Sequence, residues 1–124
     1  MRRLILAIAL AGFATAATAH ELAKGPNGGP VVDSAGHHVE LTTKGTELVL
    51  FLTDEADKPL ASAGTRNARA IVQDSGKIAT VALQPAEPNR LVGTLSQPLS
   101  KGARVVVSAT MADGHAVQVR FVNN

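Results

Sequence analysis

Apolar and polar residues alternate along much of this chain with a period of two, the spacing of a strand with one buried face. Between His37 and Thr43, Val39 and Leu41 fall on one side, with His38, Glu40 and Thr42 on the other. Thr46 to Thr53, TELVLFLT, is the most continuous apolar run and predicts a strand near the centre of a sheet. Arg66 to Gln73 alternates through Ala68, Ala70 and Val72; Ile78, Thr80 and Ala82 then oppose Ala79, Val81 and Leu83. Val117, Val119 and Phe121 form one face of a last strand, and shorter candidates are Val31 to Asp33, Leu91 to Leu95 and Ala103 to Met111.

Turn chemistry separates these runs: Ser34-Ala35-Gly36, Lys44-Gly45, the acidic stretch Asp54 to Pro59, Asp74-Ser75-Gly76-Lys77, a loop over Pro85 to Pro88, and Gln97 to Gly102. Asp113-Gly114 predicts a two-residue hairpin. Seven or eight short strands with turns at roughly ten-residue spacing predict an all-β fold, a small antiparallel Ig-like β-sandwich.

The first nineteen residues stand apart. Arg2 and Arg3 precede a short apolar run from Leu4 to Phe13, and Ala17-Thr18-Ala19 is the small-x-small pattern cut by signal peptidase. The run is shorter than the roughly 20 residues of a membrane span, so residues 1–19 are expected to be a signal peptide and the mature chain a periplasmic protein with no membrane insertion after cleavage. Residues 20–124 then form a single domain, with 20–30 as an irregular N-terminal arm, since Gly25-Pro26-Asn27-Gly28-Gly29-Pro30 is loop chemistry.

Removing the leader changes the charge picture. Of twelve Lys and Arg, ten remain against ten Asp and Glu. The basic pI of the whole chain therefore says nothing about nucleic acid, and neither a basic cluster in the sequence nor an aromatic platform points to it. There is no cysteine, which removes disulfides and thiolate metal sites. With no Trp, no Tyr and three Phe, a carbohydrate-stacking surface is not expected.

What remains is histidine. Cleavage after Ala19 would make His20 the first residue, and its α-amine and Nδ1 together can chelate Cu(II) or a similar ion; the competing explanation is a histidine that merely follows the cut. His38 and Glu40, two apart on a strand, project from one face about 7 Å apart at Cα, a carboxylate–imidazole pair suited to Zn, Cu(II), Ni or Co. His37 points to the opposite face or sits at the turn. The plain alternative is an exposed polar strand face. Asp113-Gly114-His115 could present a carboxylate and an imidazole together, or simply turn a hairpin. Catalytic signatures are missing: there is no G-x-S-x-G elbow, no H-E-x-x-H helix and no phosphate-cradling loop.

These residues carry two resemblances. A secreted start, Gly25-Pro26-Asn27-Gly28-Gly29, His37-His38-Val39-Glu40-Leu41 before an apolar strand, and the turn Asp57-Lys58-Pro59 resemble small periplasmic proteins that accompany heavy-metal efflux systems. The same features resemble the N-terminal domain of the periplasmic adaptor subunits of RND-type heavy-metal efflux pumps. This likeness covers roughly residues 20 to 60. In those relatives the first His commonly abuts the Gly, whereas here Glu21 to Lys24 intervene. His20, Asp113 and His115 are also similar to features of the copper-resistance periplasmic copper carriers, Ig-like sandwiches with a mature N-terminal His and a late D-x-H.

The expectation is a non-enzymatic periplasmic protein that binds a divalent heavy-metal ion, Cu(II) or Zn(II) first, with cobalt and nickel also in range. Its ligands would come from His20, His37, His38, Glu40, Asp113 and His115, and it would buffer the ion or deliver it, with an efflux adaptor subunit as a partner. The alternative is a metal-independent Ig-like interaction module of the cell envelope, its histidines incidental.

Overall fold

The computed structural model describes residues 21, 22 and 24 to 124. The leader expected over 1–19 and His20 lie outside the described residues. Ten strands and no helix form among those described: β1 (Glu21–Leu22), β2 (Val31–Ser34), β3 (His37–Lys44), β4 (Glu47–Asp54), β5 (Arg66–Asp74), β6 (Lys77–Ala82), β7 (Gln84–Ala86), β8 (Arg90–Thr94), β9 (Arg104–Thr110) and β10 (Ala116–Val122). They make two antiparallel sheets, one in the order β1-β2-β3-β4-β8-β7 and one in the order β10-β9-β5-β6. The two share one apolar core, so the fold is a β-sandwich.

Period two decides what enters that core. Val39 and Leu41 of β3 and Leu48, Leu50 and Leu52 of β4 face Val105, Val107, Val119 and Phe121 of the other sheet. Burying a leucine fully is worth about 1.5–3 kcal/mol, and Leu48 and Leu50 are completely enclosed. β4, the TELVLFLT run, lies inside its sheet between β3 and β8.

Three features differ from the sequence expectation. Ten strands replace seven or eight because β1 and β7 are edge strands of two and three residues, too short for alternation to show. Pro85 lies within β7, inside the segment expected to be a loop. β7 is the outermost strand of its sheet, where a missing N–H costs no ladder bond. Pairing of Glu21 with Val32 and of Leu22 with Val31 means that the arm over 20–30 is not irregular throughout.

The third difference is at Asp113-Gly114. The Met111 N–H donates to the His115 carbonyl at 2.8 Å, enclosing a three-residue loop of Ala112, Asp113 and Gly114 rather than a two-residue one. Gly114 supplies the left-handed position that this loop type requires, at φ 90°. The longer loop places Asp113 near the tip of the β9–β10 hairpin and His115 at the foot of β10.

Candidate functional site

His37 opens β3 directly after the Ala35-Gly36 turn, on the inward side shared with Val39 and Leu41. At that end of the sandwich the inward direction meets the β9–β10 hairpin rather than more core. The ring is therefore buried, the residue 8% exposed, against a polar loop. Asp113 Oδ2 lies 3.1 Å from His37 Nε2 and 3.0 Å from His115 Nδ1. Asp113 Oδ1 accepts the His115 backbone N–H at 2.9 Å, an Asx-type turn that fixes the carboxylate. The two imidazoles lie 5.7 Å apart between centroids, tilted by 58°. A strand of one sheet and the hairpin loop of the other, far apart in the chain, thus meet through one carboxylate.

An ionised carboxylate only accepts hydrogen bonds. His37 accordingly carries a proton on Nε2 and His115 one on Nδ1 in this arrangement. His37 Nδ1 is buried without a partner, and the tautomer protonated on Nε2 leaves only a lone pair there. The His115 ring, then the His115 backbone N–H, and more weakly His37, hold the Asp113 carboxyl well below the usual carboxylate range.

That shift has a signed consequence. A carboxyl whose folded value is lowered contributes stability that is complete above its unfolded value of about 4 and is lost as pH falls through the folded value. In chelator-treated protein, stability should fall more steeply below about pH 4 in wild type than in Asp113→Asn. Urea midpoints across acid pH measure this, and superimposable acid limbs would show that the rings do not hold Asp113.

The three residues also suit a metal ion. One ligand atom from each of His37, Asp113 and His115 lies within 4.8 Å of the other two. Zn–N and Zn–O bonds of about 2.0–2.2 Å in a tetrahedron need ligand atoms about 3.3 Å apart, close to the two imidazole–carboxylate separations. Two imidazoles and a carboxylate are the donor set of Zn, Cu(II), Ni and Co. The outer side is open: the side chains of Asp113 and His115 are 49% and 68% exposed, leaving room for a fourth ligand.

His38 and Glu40 do not join this cluster. Both face outward from β3, as the alternation predicts, yet they are used separately. His38 sits between two carboxylates, with Nδ1 3.3 Å from Asp57 Oδ1 and Nε2 3.7 Å from Asp33 Oδ1. Glu40 is buried, because residues 24 to 30 fold back over the outer face of β3. Its carboxylate accepts the Asn27 and Gly29 backbone N–H groups at 3.0 and 2.9 Å and the Asn27 side-chain amide at 3.1 Å. The expected His38–Glu40 pair is thus replaced by a carboxylate that pins the arm, and His20 lies outside the described residues.

Asp33 and Asp57 are the neighbours of His38 that residue spacing along β3 alone did not supply. A signal for Asp33 exists: the Ala35-Gly36 turn pairs Ser34 with His37 and therefore Asp33 with His38 across the strands. No comparable local signal marks Asp57, which reaches His38 from the turn after β4.

No protein-family model matches the chain, and no curated protein matches it. Among solved structures it is similar to the archaellum periplasmic stator protein FlaG from Sulfolobus acidocaldarius, with 18% identity over 65% of this chain and 92% of that one and a TM-score of 0.39. A likeness so remote carries no argument about function.

Proposed function

We propose that this chain is a periplasmic protein that binds a divalent transition-metal ion, Cu(II) or Zn(II), through His37, Asp113 and His115, and buffers it or passes it to a heavy-metal efflux system. The observation that carries the proposal is the meeting of two imidazoles, one from β3 and one from the β9–β10 hairpin loop, on a shared carboxylate. The secretory leader expected over residues 1–19 supports the compartment, and the efflux connection rests on the resemblance over residues 20 to 60.

The chemistry favours exchange over permanent storage. When an ion takes His37 Nε2, the ring proton moves to Nδ1, where no acceptor waits. Metal-binding histidines normally donate that proton to a carboxylate or carbonyl, and lacking such a partner costs about 10–100-fold in affinity. An exposed rim and a missing outer partner describe a site that loads and unloads.

A second reading has its own support. Asp113 is fully engaged by two rings and an amide without any ion, so the cluster could serve only to close that end of a metal-independent envelope interaction module. Calorimetric titration of the secreted protein with Zn(II) and Cu(II) separates the two. The metal site predicts one ion per chain, with binding that weakens as acid protonates the imidazoles. Heats indistinguishable from dilution for both ions would leave only the second reading.

A further inference from the structure

Among the described residues ten Lys and Arg balance ten Asp and Glu in number but not in space. The registers of the β10-β9-β5-β6 sheet place Arg69, Arg104 and Arg120 on its outer face: Arg69 is paired with Ser108, Arg120 with Val106, and Arg104 with Gln73 and Val122. Arg66 joins them because of a bulge. Arg66 and Arg69 are three apart and would face opposite sides of a regular strand, but β5 gains one residue against β9 between them. One extra residue restores the parity, with Asn67 taking up the left-handed backbone at φ 53°. All four arginines are exposed. Among the described residues none of them forms an ion pair, and no acidic residue occupies an outward position on these four strands.

We infer that this face is a docking surface for an acidic protein partner. Arg69, Arg120 and Arg104 lie on successive rows of the sheet, roughly 10 Å from one to the next given strand and residue spacings. All are arginine rather than lysine, and the planar guanidinium fork matches carboxylates in bidentate geometry. At the end of the face near the β5–β6 turn, Ile78 and Val122 are 68% and 51% exposed. Apolar contact beside arginine is the composition of a protein interface. A lipid surface fits less well, because the chain has no Trp or Tyr with which to seat itself at headgroup level. Nucleic acid fits less well too, for want of any aromatic base to stack upon. This surface uses no residue of the histidine cluster, and it stands whether or not a metal binds.

Fluorescence anisotropy of a dye-labelled oligoglutamate peptide tests the inference, with phosphatidylglycerol vesicles as a parallel probe. Wild type should bind the peptide with an affinity that falls as salt rises. The triple variant Arg69→Gln/Arg104→Gln/Arg120→Gln should bind roughly tenfold more weakly or worse. Lys24→Gln/Lys44→Gln/Lys58→Gln removes the same charge elsewhere and should bind as wild type does. Unchanged melting temperatures confirm that both variants fold. Equal losses in the two triples, no binding of the peptide by wild type, or arginine-dependent binding to vesicles but not to peptide would each overturn the inference.

Discussion

A single methyl group at position 29 is expected to cost the protein about 3 kcal/mol, roughly 15 °C in melting temperature for a domain of this size. A Cβ on Gly29 would overlap the Leu41 carbonyl of β3. That neighbour is backbone, so no side chain can swing aside. The arm must lift, and three hydrogen bonds go with it: Gly29 N–H to Glu40 at 2.9 Å, Leu41 N–H to the Pro30 carbonyl at 3.0 Å, and Gly25 N–H to the Gly29 carbonyl at 2.8 Å. Lifting the arm also draws the Asn27 donors away from Glu40, which must then exchange three fixed donors for water. Gly28→Ala is the control. Open space surrounds a Cβ there, but φ is 83°, so strain alone should cost about 1–2 kcal/mol. Thermal melts of the two variants should therefore differ clearly; equal melting temperatures would mean that the arm is not pinned to β3.

The second large effect is on metal binding. In the proposed site, His115→Ala removes one of three protein ligands and should weaken Zn(II) by about 100-fold or more, at the upper end of or beyond what an outer-shell partner contributes. His115 is mostly exposed, so the loss should come without loss of folding. His38→Ala should leave the affinity within about threefold, although His38 adjoins His37 in the chain and belongs to the motif that draws the eye. The titration described above, repeated with both variants, measures the contrast. A large loss in His38→Ala with none in His115→Ala would move the site to the outer face of β3.

Much of the fold was legible because alternation writes the inside and outside of a sandwich directly into the chain. Val39 and Leu41, or Val117, Val119 and Phe121, face the core as their spacing implies. The short edges were not legible, since Gln84–Ala86 is too brief to carry a pattern and contains a proline. The candidate site was half legible. The residue types that could hold a metal were all visible, and the parity of β3 correctly put His38 and Glu40 on one face. What spacing along one strand cannot reveal is which other segment covers that face. Asn27 and Gly29 claim Glu40 from the loop before β2, while His37, the residue turned inward, is the one that finds Asp113 and His115 across the sandwich. The arginine face was hidden for the same reason, and at Arg66 also by a bulge that reverses the parity.

The most direct measurement is the imidazole nitrogen NMR spectrum of selectively labelled protein as Zn(II) is added. Coordination through His37 Nε2 and His115 Nδ1 predicts that the resonances of these two rings move together and saturate at one equivalent, while those of His38 stay in place. Resonances of His37 and His115 that remain unchanged when the ion is in excess would contradict the proposed site.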